Sequence, residues 1–535
     1  MVRAMQMPTS RTVPGLLDEL AARHPEHEFV VDGERRFSYA AFRDEVRRIA
    51  RGLHALGVGR GDKVAILMGN QAEWLVVDFA IQRLGAIMVS INTWATRREL
   101  EYMLAHADAK VLVAVERYLK ADFPAMLREI GRANLPRLEY IVCLGADGQD
   151  DMLSYEALRS LAEQADEAAV EAMQAAVGPA DVACILYTSG STSTPKGVQI
   201  QHYALIENMW WIGERQHLSA ADRLWLGVSL FWGFACENAL FAVMTHGGTV
   251  VLQGHFEPGE ALRLIEAERC SVIYAMPNMV RALAEHPDRA KRDLSSLRTG
   301  ATIGTPEQID LIAGLGAREI CNVYGLTETY GNCAVTDAHL PLSQRRRFAG
   351  TALPGVEIVI ADPESHAPLP TGEVGEIKVK GYVTCGYYKD ADKNAAAFDA
   401  EGYFLTGDLG YLDAEGRLYF RGRRKEMVKT GGINVAPIEV EEVLMSHPAV
   451  EQAFVVGLPD AQRDEILGAV IVPRPGVRAD EAALLAFCRE QLAGYKVPRR
   501  FAIVAAEALP LTSTGKVQKL RLPEIFTAAG ETSAA

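Results

Sequence analysis

The chain has no excess of positive charge. Its 55 Lys and Arg residues face 69 Asp and Glu, a formal net charge of −14. This argues against a general nucleic-acid binder, which needs a basic surface to displace counterions from the phosphate backbone. No apolar run approaches the length that spans a bilayer. The opening stretch, Met1-Val2-Arg3-Ala4-Met5-Gln6-Met7-Pro8, has no apolar signal core. Cysteine is scarce, eight residues at 143, 184, 236, 270, 321, 333, 385 and 488, and none stands in a Cys-x-x-Cys pair. Neither a disulfide framework nor a zinc site is expected, and a cytoplasmic location is. All eight cysteines are expected to be small buried hydrophobes. There is no internal repeat of fixed period and no long low-complexity tract.

What is present is length and alternation. At 535 residues, two or more domains are expected. From Tyr39, the apolar residues Phe42, Val46, Ile49, Leu53 and Leu56 step by four and three, the stripe of an amphipathic helix. Lys63 to Met68 reads as a strand, Glu73 to Leu84 as a helix and Ile87 to Ile91 as a strand. Thr96-x-x-Glu99 is a capping box opening a helix to about Ala105, and Lys110 to Ala114 is the next strand. Strand and helix in turn predict layered α/β structure with parallel strands. Residues 145 to 180, acidic and Ala-rich, read as helices and loops packed outside. Short strands at Val356 to Ile360, Gly375 to Lys380 and Tyr403 to Leu405 suggest a small barrel-like subdomain. Beyond about residue 425, a helix from Pro437 to about Met445, strands near 452–457, 466–472 and 501–504 and a helix near 480–492 make a small α+β domain.

The chain is organised around Tyr187-Thr188-Ser189-Gly190-Ser191-Thr192-Ser193-Thr194-Pro195-Lys196-Gly197, which follows the buried-strand pattern Val182 to Leu186. Hydroxyl side chains offer donors to phosphate oxygens, glycine lets backbone N–H groups approach an anion, and Lys196 adds a point charge. A Walker-type loop does not fit. Counting from Gly190, Pro195 stands where the second glycine belongs and Gly197 where the magnesium-holding hydroxyl belongs. Further on come Arg298-Thr299-Gly300-Ala301-Thr302-Ile303-Gly304, then Asn322-Val323-Tyr324-Gly325-Leu326-Thr327-Glu328-Thr329, then Thr406-Gly407-Asp408. The basic run Arg421 to Lys429 precedes Thr430-Gly431-Gly432-Ile433-Asn434, and Leu511-Thr512-Ser513-Thr514-Gly515-Lys516 lies near the end. Glu328 is a hard oxygen donor suited to magnesium. Arg345-Arg346-Arg347 is expected to be a solvated face.

These stretches, in this order and spacing, resemble the adenylate-forming superfamily of acyl- and aryl-CoA synthetases, peptide-synthetase adenylation domains and luciferases, over roughly residues 15 to 525. The resemblance implies a large N-terminal domain, 1–424, of layered α/β subdomains plus the barrel-like β subdomain. A small mobile C-terminal α+β domain, 425–535, would rotate about the hinge residue Lys425. It also implies that Thr188, Ser189, Gly190, Ser191, Thr192 and Lys196 grip the ATP phosphates. Gly300 and Ala301 meet the adenine, Tyr324 gives it a flat face beside Gly325, and Thr327 holds the α-phosphate. Glu328 carries magnesium, Asp408 takes the ribose hydroxyls, and Arg423 approaches the nucleotide. Lys516 stands in the place of the catalytic lysine, and Lys429, Gly431 and Gly432 line the CoA tunnel. Phe231, Trp232 and Gly325 border the acyl pocket, with a core aromatic role equally open for the two aromatics. Two departures stand out: Ser193 where the family has glycine, and Trp232 where many relatives have histidine.

The implied reaction is ATP-dependent activation of a carboxylic acid to an acyl-adenylate, then transfer to the CoA thiol with release of AMP and pyrophosphate. The acid would be a medium- or long-chain fatty or aromatic acid. Two other readings stay open: a stand-alone adenylating enzyme that loads a carrier-protein thiol, and a catalytically silent nucleotide-binding protein. By analogy with relatives, a homodimer is open to the chain.

Overall fold

The computed structural model describes residues 6–145, 152–188, 195–430, 433–460, 463–512 and 516–531. The phosphate-loop residues Ser189, Gly190, Ser191 and Thr192, with Ser193, and the tunnel residues Gly431 and Gly432 lie outside them.

The local signals produce the expected elements. The stripe beginning at Phe42 is the buried face of the helix Tyr39–Ala55, with Phe42, Val46, Ile49 and Leu53 fully buried. Phe42 packs edge-on against Phe29 and Phe79, with ring centroids 5.0 and 5.6 Å away. The helix Arg97–His106 opens with the capping box: Glu99 N–H donates to Thr96 Oγ1 at 3.3 Å, and Thr96 N–H donates to Glu99 Oε2 at 2.8 Å. Thr96→Ala leaves these end groups to solvent. It should cost about 0.5–2 kcal/mol, read as a lowered urea midpoint with an unchanged slope.

Two compact units divide the chain. The first comprises Met1–Ile358, Val379–Phe404 and Gly416–Leu418. It contains a seven-stranded sheet in the order Lys196–Gln201, Val182–Thr188, Ile87–Ser90, Lys63–Leu67, Ala109–Val115, Tyr140–Leu144, Leu153–Ser154. The interior strands pair parallel, while Lys196–Gln201 folds back antiparallel on Val182–Thr188. A nine-stranded sheet carries, in adjacent places, Val272–Tyr274, Thr299–Thr302 and Cys321–Tyr324. Val182–Leu186 and Val272–Tyr274 run apolar throughout, as strands covered on both faces do.

The second unit comprises Val359–Lys378, Leu405–Glu415 and Tyr419–Ala535. Its C-terminal part has a five-stranded sheet. Val450–Asp460 and Asp464–Pro473 form a long antiparallel pair, and Arg500–Ile503 runs parallel to the latter. The helices Pro437–Met445 and Glu481–Gln491 contribute Val440, Leu444, Leu484 and Cys488 to its core. The segment expected to be barrel-like is a four-stranded sheet in the order Glu357–Ala361, Gly375–Lys380, Phe404–Leu412, Leu418–Arg423.

Two expectations are corrected. Arg345 is not on a solvated face: it is 3 % exposed, and its guanidinium donates to the backbone carbonyls of Leu340, Ile320 and Arg318. Carbonyls at strand and helix ends need donors, and a planar five-donor group can serve several at once. Cys385 is exposed, unlike the other seven cysteines, because it sits in the loop before Gly386 rather than on a strand or a helix face.

Candidate active site

In the first unit the hairpin sets Thr188 directly across from Lys196 in the ladder. The stretch singled out in the sequence therefore leaves one strand and re-enters the next at these two residues. The Lys196 ammonium lies 4.8 Å from the ring centre of Tyr387, a cation–π contact. The Tyr387 hydroxyl donates to Glu328 Oε1 at 2.9 Å. One tyrosine thus ties Lys196 to Glu328, residues far apart in sequence. Tyr387 is itself buried and pinned by Asn394, whose Oδ1 accepts from Tyr387 N–H at 2.6 Å and whose Nδ2 donates to the Tyr387 carbonyl at 2.9 Å. Burial, then the charge of Glu328, pushes its phenol pKa up. Tyr387 escaped the sequence reading; the aromatic pair following Gly386 was its only local trace.

Glu328 and Thr327 sit in a one-turn helix, Thr327–Thr329, just past the strand Cys321–Tyr324. The turn is held by Leu326 N–H donating to Thr329 Oγ1 at 2.9 Å, and Thr384 N–H donates to the Glu328 carbonyl at 2.7 Å. Thr327 and Glu328 are half-buried, and Tyr324 is 7 % exposed. Gly325 is required by the loop itself: a β-carbon there would lie 2.3 Å from the Gly331 carbonyl oxygen. Gly300 has a comparable reason. It lies inside the strand Thr299–Thr302 with φ +138°, and a β-carbon would meet the Ile273 carbonyl oxygen at 1.9 Å. Ala301 beside it is fully buried.

Phe231 and Trp232 join a third aromatic that the sequence did not single out. Trp94 meets both edge-on at 5.2 Å, and the Phe231 and Trp232 ring centres are also 5.2 Å apart. Such edge-to-face packing favours the ring quadrupoles. Phe231 is buried and Trp232 is half-buried, so the indole presents the cluster's accessible surface.

In the second unit Asp408 is 2 % exposed and pairs with Arg423, Nε to Oδ1 at 3.1 Å. Asp408 N–H donates to Thr406 Oγ1 at 3.0 Å, and the Thr406 hydroxyl donates to the Ile377 carbonyl at 2.6 Å, so Thr406-Gly407-Asp408 is braced within the strand Phe404–Leu412. Lys425 is exposed on the short turn Arg424–Glu426. Lys429, also exposed, donates its N–H to Glu465 Oε2 at 2.7 Å. Lys516 closes a small loop: its N–H donates to Thr512 Oγ1 at 3.1 Å, and Thr512 N–H donates back to its carbonyl at 2.8 Å. Three residues on, Lys519 anchors the segment between Glu426 and Glu441 at 3.1 and 2.9 Å. Lys516 is exposed, yet its amine is partly desolvated. That desolvation, followed by the charge of Arg423, lowers its pKa.

The comparisons with known proteins bear on the same residues. The model of the AMP-binding enzyme family matches residues 17–388, and that of the AMP-binding enzyme C-terminal domain matches 439–516. The chain belongs to the AMP-binding enzyme family. Within that adenylate-forming group it is an acyl-CoA ligase, with ATP and CoA as co-substrates and an acyl-adenylate as intermediate. It is 36 % identical, over 96 % of its length and 99 % of the relative's, to the 3-[(3aS,4S,7aS)-7a-methyl-1,5-dioxo-octahydro-1H-inden-4-yl]propanoyl:CoA ligase of Mycobacterium tuberculosis. It is 34 % identical to a feruloyl-CoA synthase of an Amycolatopsis species, over 93 % of this chain and 96 % of that one. Among solved structures, the anthranilate CoA ligase AuaEII in complex with anthranoyl-AMP superposes with a TM-score of 0.86 at 27 % identity, covering 98 % of this chain and all of the other. No helix among the described residues of the ligase is long and apolar enough to cross a membrane.

The charge of Arg423 gives a pH prediction. A lysine must be charged to stabilise an anionic transition state, so a lowered pKa brings the alkaline loss of adenylation to lower pH. Arg423→Gln removes one of the two causes of lowering. The alkaline limb of the pyrophosphate-exchange profile should move to higher pH, while the acid limb stays. A limb unmoved by the substitution would detach Arg423 from the lysine.

Proposed function

We propose that the ligase activates a medium- or long-chain fatty or aromatic acid, and that its residues divide the work as follows. A carboxylate is a poor electrophile until one oxygen becomes part of a leaving group. In the first half-reaction the acid attacks the α-phosphorus of ATP, and pyrophosphate leaves. Ser189, Thr192 and Lys196 hold the β- and γ-phosphates, Thr327 the α-phosphate, Asp408 the ribose hydroxyls, and Lys516 bridges carboxylate and phosphate oxygens. This is catalysis by placement and fixed charge.

Glu328 suits magnesium. Its carboxylate is half-buried and aimed by Tyr387, and one oxygen accepts that hydroxyl while the other has no partner among the described residues and suits a metal ligand. The ion, when bound, offsets triphosphate charge and eases the departure of pyrophosphate. In the second half-reaction the CoA thiol attacks the acyl carbon and AMP leaves, a step that does not need Lys516. Rotation of residues 425–535 about Lys425 would withdraw that lysine and bring Lys429, Gly431 and Gly432 to the thiol's path.

The observation that carries the apolar or aromatic acid is the cluster of Trp94, Phe231 and Trp232. With indole in place of histidine, that wall offers aromatic surface and no base. Support also comes from relatives named for ferulate and for a propanoate on a saturated octahydroindene bicycle, and from the anthranilate ligase. A panel of straight-chain and aromatic acids, scored by pyrophosphate release with CoA present, tests the reading. Turnover confined to acids of two or three carbons would overturn it. Substituting a holo carrier protein for CoA tests the acceptor.

A further inference from the structure

Three side chains that the adenylating chemistry does not use converge in the first unit: His217, Asp337 and His339. His217 stands just past the helix His202–Arg215. Its N–H donates to the Glu214 carbonyl at 3.2 Å and Leu218 N–H donates to the Gly213 carbonyl at 3.0 Å, so it closes the helix in the left-handed conformation, with φ +51°. Glycine is the usual residue there. Asp337 and His339 lie on the loop after the strand Ala334–Val335. Between them, buried Ala338 fixes that loop to the helix end, its N–H donating to the Arg215 carbonyl at 2.9 Å. His339 N–H donates to Asp337 Oδ1 at 2.8 Å, which orients the carboxylate.

The spacing is that of a metal-binding set. His217 Nε2 lies 3.1 Å from Asp337 Oδ1. Adjacent ligands bonded to one ion at about 2.0–2.2 Å stand about 3.0–3.5 Å apart, so these two atoms already have the separation that a shared ion requires. The His339 ring lies face to face with the His217 ring, centroids 3.5 Å apart and planes 7° from parallel. One ligand atom from each of the three residues lies within 4.8 Å of the others, and ligands on opposite sides of one ion are about 4.2 Å apart. Both histidines are exposed, so side-chain rotation closes the difference. The neighbouring cations are engaged elsewhere. Arg215 donates to Thr351 Oγ1 at 3.2 Å, and Arg298, which donates to the His217 carbonyl, pairs with Asp222 and Glu319. Cysteine spacing gave no sign of such a site, because the site uses no cysteine and its first two residues are 120 apart in the chain.

We propose that His217, Asp337 and His339 bind one divalent transition-metal ion of the zinc class, separate from the magnesium assigned to Glu328. Two imidazoles and one carboxylate suit Zn²⁺ and disfavour Mg²⁺, whose ligands are oxygens. On binding, the ion takes the place of the proton between His217 Nε2 and Asp337, and that proton leaves to water. Water completes the coordination shell on the exposed side. The bound ion ties the helix end to the loop that follows the Thr327–Thr329 turn, and so stabilises the folded chain by mass action.

The test is equilibrium dialysis of the tag-free, chelator-treated full chain against Zn²⁺, with excess Mg²⁺ present to fill carboxylate sites. One Zn²⁺ per chain should be retained, and at saturation it should raise the melting temperature by about a few degrees. His339→Ala and Asp337→Asn should each weaken binding by about tenfold or more. Asparagine keeps the oxygen that accepts His339 N–H while removing the charge. His217→Gly is the sharper variant. It removes a ligand at a position that favours glycine, so it should abolish the zinc-dependent rise while leaving the metal-free protein at least as stable as the wild type. Melting without metal checks that each variant folds, and His339→Gln stands in if His339→Ala does not. Failure of the wild-type chain to retain Zn²⁺ overturns the proposal. So does retention at wild-type affinity by His217→Gly and the His339 variant, which would place the ion elsewhere and leave the three residues as a hydrogen-bonded loop closure.

Discussion

Lys516→Ala should slow formation of the acyl-adenylate by roughly 10²–10³, the usual loss when one preorganised charge contact to a developing anion is removed. Thioester formation from a supplied acyl-adenylate should keep most of its rate. The asymmetry follows from the chemistry. In the first half-reaction, negative charge from two anions gathers where carboxylate meets phosphate, and an ammonium lowers that barrier directly. In the second, a neutral carbonyl meets a thiol, and AMP leaves with charge it already carried. The scaffold around the lysine makes the experiment clean. The loop is closed by backbone bonds between Thr512 and residue 516 and anchored by Lys519 on Glu426 and Glu441, so truncating the side chain at 516 removes charge without releasing the loop. Glu441 is buried and accepts Val455 N–H at 2.8 Å, so Lys519, not Lys516, is what the fold depends on. Measuring pyrophosphate exchange and thioester formation separately decides the matter. An equal fall in both half-reactions in a folded variant would sink the assignment of Lys516 to adenylation alone.

How much of this could be read from the chain depends on whether the physics was local. The stripe Phe42, Val46, Ile49, Leu53 and Leu56 is a property of one helix and was legible, as was the Thr96–Glu99 cap. Strand order was not. Nothing within Val182–Thr188 says that its neighbours are Ile87–Ser90 on one side and Lys196–Gln201 on the other, because pairing is decided by which apolar faces remain to be covered. The site divides in the same way. Thr327, Glu328, Asp408 and Lys516 could be proposed from the sequence because each lies in a short run that matches the family's motifs in order and spacing. Their supports could not: Tyr387 reaches Glu328 from a distant loop, and Trp94 reaches Trp232 across more than a hundred residues. Arg345 shows the converse error. A run of three arginines looks like a solvated face until the fold supplies carbonyls in need of donors. The packing reason for Gly300 was not legible either: the Ile273 carbonyl on the adjacent strand excludes any β-carbon there.

Glu328→Gln should reduce pyrophosphate exchange by roughly 10²–10³ at fixed magnesium, since it replaces a charged hard oxygen by a neutral amide where triphosphate charge is to be balanced. The rate alone would not separate a metal ligand from a loop brace, because Glu328 also takes the Tyr387 hydroxyl and its backbone carbonyl takes Thr384 N–H. The magnesium dependence does separate them. If the carboxylate holds the ion, Glu328→Gln raises the magnesium concentration for half-maximal rate, and excess magnesium recovers part of the loss. Tyr387→Phe provides the comparison: it deletes the hydroxyl that aims Glu328 but keeps the ring under Lys196. It should shift the magnesium requirement in the same direction by less, because an unaimed carboxylate still carries its charge. A Glu328→Gln enzyme slowed in rate with an unchanged magnesium requirement would make this residue a brace for the Thr327–Thr329 turn, and the ion would then have to be held by the phosphates and other groups.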